Sequence, residues 1–111
     1  MSVSIKKFKR CSLVKMDGSI DSYTAYELDD SMKYLNENGV FKIVFDMTDV
    51  SFVSSRGWWV LINVQKACKR YNRGEIVLAG VGKKIRETMD VVGLGKQFKF
   101  FDDATSAVGH F

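Results

Sequence analysis

Short apolar runs alternate with stretches of helical spacing along this chain. Glycine and asparagine punctuate them, because there is no proline. Residues 3–9 and 11–16 read as two strands, the second carrying Ser12-Leu13-Val14-Lys15-Met16. Asp17-Gly18-Ser19 breaks that pattern as a turn. Thr24-Ala25-Tyr26-Glu27 has the spacing of a capping box, followed by Ala25, Leu28, Met32 and Leu35 on one helical stripe. Asn38-Gly39 supplies the stop. Val40 to Asp46 is an almost unbroken apolar run, the mark of a strand covered on both faces. A second helix is expected from Ser55 to Tyr71, with Trp58, Leu61, Val64, Cys68 and Tyr71 facing inward and Asn72-Arg73-Gly74 ending it. Glu75 to Ala79 is another buried strand. Lys83 to Val92 is a third helix with Ile85, Met89 and Val92 inward, closed by Gly93-Leu94-Gly95. Phe98, Phe100 and Phe101 mark a last short strand, and Asp103 caps a closing helix from Ala104 to Val108.

The resulting order, ββαβαβαβα, predicts an α/β fold. Helices between successive buried strands require crossover connections, hence a largely parallel sheet with helices packed on it, and the first strand pairs antiparallel at an edge. At 111 residues, with no linker-like stretch or internal repeat, the chain suits one domain spanning residues 1–111.

Composition narrows the function classes. Seventeen basic and thirteen acidic residues are interspersed, giving a net charge of only +4, so a nucleic-acid partner is not expected. The densest basic groups are Lys6, Lys7, Lys9 and Arg10, then Lys66, Lys69, Arg70 and Arg73. Both read as solvated structural charge, the second complementing a helix C-terminus. No run approaches the ~20 apolar residues of a bilayer span. The first residues lack the apolar core of a signal peptide, so a cytoplasmic protein without membrane insertion is expected. Cys11 and Cys68 fit no metal or redox spacing and read as reduced, half-buried thiols. The Gly80-Val81-Gly82-Lys83-Lys84 loop lacks the glycine spacing of a phosphate-binding loop and has Lys84 where Ser or Thr is needed. The single histidine, His110, lies one residue from the C-terminus, a poor place for a catalytic base. No enzyme, cofactor or metal centre is expected; a binding module is.

The chemistry-bearing stretch is Ser54-Ser55-Arg56-Gly57-Trp58-Trp59, a small hydroxylated pair at the mouth of a helix. Such a pair can cap the helix, bind an anion or accept a phosphoryl group. Three landmarks accompany it in order: Gly18-Ser19-Ile20-Asp21, then Ile43-Val44-Phe45-Asp46-Met47-Thr48-Asp49-Val50, then Ser51-Phe52-Val53-Ser54-Ser55-Arg56-Gly57. With Gly74–Gly80 and Val91-Val92-Gly93-Leu94, they resemble the STAS domain of bacterial anti-sigma-factor antagonists over about residues 5–108.

The resemblance implies a STAS-like sandwich. It also implies a regulator whose partner is both anti-sigma factor and serine-protein kinase, with a phosphatase resetting the switch. In that family the loop reads Asp-Ser-Ser-Gly or Asp-Ser-Thr-Gly, and the serine after the aspartate is phosphorylated. By position, Ser55 is the phospho-acceptor and Gly57 the loop glycine. Asp21 is the acidic residue of the neighbouring loop, beside the partner surface. Ser54 replaces the family aspartate, Arg56 the second hydroxyl residue, and Trp58-Trp59 a smaller pair.

The expected contact surface is therefore Asp21, Ser54, Ser55, Arg56, Gly57 and Trp59. More ordinary roles stand beside these. Ser54 and Ser55 can cap the helix. Arg56 can swing into water or pair with Asp21 or with a phosphate on Ser55. Trp59 can be half exposed or packed on a neighbouring helix. Asp46 and Asp49 can form Asx-type turns. Competing functions are a phosphorylation-independent adaptor subunit, as in a membrane-transport complex, and a nucleotide-binding domain using Gly80–Lys84.

Overall fold

The computed structural model describes residues 3–111. Its elements run β1 (Val3–Lys7), β2 (Ser12–Ile20), α1 (Thr24–Glu37), β3 (Lys42–Val53), α2 (Ser55–Lys69), a 3-10 turn (Arg70–Asn72), β4 (Glu75–Ala79), α3 (Lys83–Val91), a second 3-10 turn (Gly95–Gln97), β5 (Lys99–Phe101) and α4 (Ala104–His110). The five strands form one sheet in the order β1-β2-β3-β4-β5. β1 pairs antiparallel with β2 at the edge, and every other pairing is parallel, as the alternation of elements predicts.

Ile43 to Met47 are all buried, so the central strand is covered on both faces. On one face Ile43, Phe45 and Met47 pack with Ala25, Leu28 and Met32 of α1, Trp58, Leu61 and Val64 of α2, and Ile85 and Met89 of α3. On the other, Val44, Val77 and Ala79 pack with Cys11 and with Ala107 of α4. The alternation of side chains along a strand divides the two sets. Cys11 and Cys68 are buried, unbridged thiols, and burial raises both pKa values.

Several boundaries differ from the sequence reading. Residues 17–19 are not a turn. β2 runs on to Ile20, with Gly18 at φ 76° and register shifts between Lys15 and Asp17 and between Gly18 and Ser19. β3 likewise continues past Asp46 to Val53, because the lengthened β2 gives it a partner. The α-helical part of α2 stops at Lys69. Tyr71 then adopts φ 59° and is 83% exposed rather than inward. Val92 lies beyond the end of α3 and is exposed. His110 is not frayed: it belongs to α4, 3.3 Å from Glu75.

The Thr24–Glu27 capping box does not form. The reciprocal box instead links Asp21 and Thr24, three residues earlier. The Asp21 carboxylate accepts from the Thr24 N–H at 2.9 Å, and the Thr24 hydroxyl oxygen accepts from the Asp21 N–H at 2.9 Å. The first α-helical turn of bonding starts there too, with the Ala25 N–H donating to the Asp21 carbonyl. Asp103 caps α4 as expected, accepting from the Ser106 N–H at 2.8 Å.

A buried side chain from α2 completes the sheet. Gln65 is buried, accepts from the Ile76 N–H at 2.7 Å and donates to the carbonyls of Gln97 (2.8 Å) and Ile76 (3.2 Å). Ile76 lies one residue before β4 begins to pair with β5, so the amide stands in for a missing strand neighbour. Gln65→Leu would strand a buried N–H and a carbonyl. A loss of roughly 1–3 kcal/mol is expected in urea unfolding, with the m-value unchanged.

Candidate functional site

The extension of β2 and β3 beyond the core assembles the site. Ile20 pairs with Val53 at the end of the ladder, and one residue on the Ser54 N–H donates to the Ile20 carbonyl at 2.8 Å. The loop holding Asp21 and the loop entering α2 are thus fastened side by side, at the end of the sheet where α1 and α2 begin.

Ser54 is the N-cap of α2. Its backbone is extended (φ −76°, ψ 169°), its hydroxyl accepts from the Gly57 N–H at 3.3 Å, and its carbonyl accepts from the Trp58 N–H at 3.1 Å. Serine and aspartate cap about equally well, so the serine at this position keeps the helix start intact. It removes a negative charge, and α2 has no acidic residue in its first turn. Ser55 is the first helical residue and is exposed. Its surroundings are the positive end of a fifteen-residue helix, where first-turn N–H groups have no partner within the helix.

Gly57 is buried, and its role is one of packing. A Cβ placed there would lie 2.8 Å from Val53 Cγ1 and 2.9 Å from Ile20 Cγ2. The absent side chain lets α2 start hard against the two strand ends that Ser54 ties together.

Asp21 is exposed, and its carboxylate binds the N–H groups of Tyr23 and Thr24, each at 2.9 Å. The Thr24 hydroxyl proton lies within reach of the Ser19 carbonyl (2.9 Å) and the Asp21 carboxylate (3.0 Å). Bonds from the Thr24 N–H and hydroxyl, then from the Tyr23 N–H, hold the Asp21 carboxyl below the usual aspartate range. Among the described residues no ion pair joins Arg56 to Asp21. The Arg56 guanidinium lies over the Tyr26 ring instead, 5.6 Å from its centroid. Trp59 is 59% exposed, which decides for the open alternative over packing on a neighbouring helix. With Ser55 and Arg56 it lines a shallow hollow.

Sequence reasoning missed three aromatic residues here. Tyr23 just before α1, Tyr26 on α1 and Phe52 near the end of β3 are all more than half exposed. Tyr26 lies off the Ala25–Leu28–Met32 stripe, and that position was the available signal. Asp46 and Asp49 belong to the strand below the site. Asp46 is buried and accepts from the Thr48 N–H (3.0 Å) and hydroxyl (2.6 Å), the expected Asx-type bonding. Lys15 bridges the two carboxylates, at 3.9 Å from Asp46 and 3.3 Å from Asp49.

The sequence model of the STAS domain family matches residues 2–107. The chain is a STAS-domain protein. An anti-sigma-B factor antagonist from Staphylococcus aureus (strain NCTC 8325 / PS 47) is 28% identical over 81 residues, 73% of this chain and 74% of the relative. Among solved structures, an anti-sigma factor antagonist from Mycobacterium paratuberculosis superposes with a TM-score of 0.86 over 98% of this chain and 92% of that one, at 21% identity. SpoIIAA in its unphosphorylated form gives 0.82 over 98% and 95%, at 14% identity. These neighbours share the fold of this chain. No helix among the described residues is long and apolar enough to cross a membrane.

Two outcomes test how the STAS site is built. Gly57→Ala sets a helix-propensity gain of at most ~1 kcal/mol against overpacking of two buried β-branched side chains; a net loss of about 1–3 kcal/mol is expected by denaturant unfolding. Asp21→Ala removes the α1 cap, and its effect depends on pH. The native carboxyl has the lower pKa, so the unfolded chain takes up the proton first as pH falls. The cap's stabilisation is present above the ordinary aspartate pKa of ~3.9 and is lost as pH falls through the lower native value. The difference in thermal midpoint between wild type and Asp21→Ala is expected to be full at neutral pH and to close in acid.

Proposed function

We propose that this STAS domain is a phosphorylation-switched antagonist of an anti-sigma factor that is also a serine kinase, with Ser55 as the acceptor and a phosphatase as the resetting enzyme. The carrying observation is the exposure of Ser55 on the first turn of α2, beside a neighbour whose own hydroxyl is already committed to capping. Ser54 is held by the backbone; Ser55 is presented. The anti-sigma-B factor antagonist relative supports the partner class, and SpoIIAA, solved in phosphorylated as well as unphosphorylated form, supports a switch that leaves the fold standing.

On this reading the domain performs no catalysis. The phosphoryl group comes from ATP held by the partner, whose active site must admit the Ser55 hydroxyl. Asp21, Arg56 and Trp59 form the docking surface with Ser54 and Ser55, and Tyr23, Tyr26 and Phe52 extend it. Gly57 serves from beneath. A phosphate on Ser55 adds ~1.5–2 negative charges and three oxygens to that surface. The helix terminus tolerates the charge, and Arg56 needs to give up only a cation–π contact worth ~0.5–1 kcal/mol to pair with it. The partner is excluded while the domain stays folded.

Intact-mass spectrometry of the chain from its native cells should show a single phosphoryl adduct that disappears in Ser55→Ala. An adduct that persists in the variant, or none under any growth condition, overturns the assignment and favours the phosphorylation-independent adaptor. Trp59→Ala should weaken binding of the unphosphorylated chain to its partner by ~2 kcal/mol or more while leaving the thermal midpoint nearly unchanged. A large fall in that midpoint would give Trp59 a packing role instead.

A further inference from the structure

Lys7, Lys9 and Arg10 of the first basic cluster meet Arg73 of the second at the end of the sheet opposite Ser55. β1 delivers Lys7, Lys9 and Arg10 to the start of β2, β3 begins at Lys42, and the turn after α2 brings Arg73. These five cations line one cavity of about 300 Å³, and no carboxylate lines it. Among the described residues none of the five takes part in a salt bridge. The nearby acid on β4, Glu75, is occupied by Lys99 at 3.2 Å and His110 at 3.3 Å.

The site has a fixed component. The Arg73 guanidinium stacks on the Phe41 ring, 3.8 Å from its centroid, and donates to the carbonyls of Ala67 (2.9 Å) and Arg70 (3.1 Å). It is held there by an uncommon turn, with Tyr71 and Asn72 at φ 59° and 57°, and by Gly74, where a Cβ would collide with the Phe41 carbonyl. A guanidinium has five N–H donors in a rigid fork, so those not used in these bonds remain for an anion. Complementing a helix C-terminus explains the Lys66–Arg73 group alone; it does not explain why Lys7, Lys9, Arg10 and Lys42 converge on the same hollow.

We propose that this cavity binds a ligand bearing clustered phosphate groups, Arg73 and Lys42 holding it from the sheet side and Lys7, Lys9 and Arg10 closing over it. Free condensed phosphates and phosphorylated lipid headgroups share this chemistry. Either source would leave the Ser55 end of the domain unobstructed.

The test uses the full chain at constant ionic strength. Inorganic pyrophosphate is titrated with amide shifts as readout, and sedimentation is measured with vesicles of phosphatidylcholine alone or mixed with a phosphatidylinositol bisphosphate. Saturable shifts at Lys7–Ser12 and Val40–Lys42 are expected, with affinity falling about tenfold in Lys9→Gln/Arg10→Gln. Both positions are exposed, so the variant should keep the wild-type thermal midpoint. Pyrophosphate binding without vesicle binding identifies a free phosphate as the source. Sedimentation with the mixed vesicles only, reversed by pyrophosphate, identifies a headgroup. Shifts that fail to saturate, that map elsewhere, or that persist unchanged in the double variant overturn the proposal. The result is independent of the Ser55 switch, since Ser55→Ala should bind pyrophosphate as wild type does.

Discussion

One backbone hydrogen bond, from the Ser54 N–H to the Ile20 carbonyl, joins the two halves of the candidate site. It exists because β2 and β3 keep pairing after the core has ended, through two register shifts that a regular ladder would not need. Such irregularities re-aim strand ends. Here they bring the Asp21 turn level with the mouth of α2. Gly57 then allows α2 to begin in contact with Val53 and Ile20. Remove the pairing and Asp21 and Ser55 belong to separate loops; fill Gly57 and the helix that presents Ser55 must retreat.

Parallel topology also sorts the charge. Each crossover helix starts at the C-terminal end of one strand and stops near the start of the next. Helix N-termini, with the caps Asp21, Ser54 and Asp103, collect at one end of the sheet, and helix C-termini at the other. Acids are favoured at the first end and cations at the second. Arg56 runs against this rule, since it is a cation in the first turn of α2. The structure resolves the conflict by laying it over Tyr26, off the helix axis. The opposite end overshoots the rule, because β1 adds cations that no helix C-terminus requires.

The fold was legible because its signals were periodic. Val40–Asp46 announced a strand buried on both faces, and Gly39 at φ 79° and the Asp103 cap stand where glycine and aspartate predicted them. What misled were local signals overridden by tertiary pairing. Asp17-Gly18-Ser19 has turn chemistry, yet the neighbouring strand holds it extended. Thr24 and Glu27 have box spacing, yet the Asp21 carboxylate already holds the Thr24 N–H that Glu27 would have bound. Tyr71 continues the helical stripe of α2, but the chain leaves the helix before reaching it. At the site, the sequence offered Ser54 and Ser55 alike as caps, and the structure gives the capping bond to Ser54 and leaves Ser55 exposed. Of the exposed aromatics only Tyr26 carried a signal, its position off the core stripe of α1; Tyr23 and Phe52 lie outside any helical stripe.

The serine at position 54 carries more consequence than its modest chemistry suggests. As a cap it equals aspartate, so the geometry of α2 does not register the exchange. As a charge it does not. An aspartate there would repel a phosphate on the adjacent residue and would draw Arg56 away from Tyr26. With serine in place, the first turn of α2 carries one formal charge, the cation of Arg56, and an incoming phosphate would meet attraction from both the helix terminus and that cation. On the proposed reading, this chain's phosphorylated state is held more firmly than one built on an Asp-Ser pair. On that reading a partner discriminates through Asp21 and the exposed aromatic residues, since position 54 offers no carboxylate beside the acceptor.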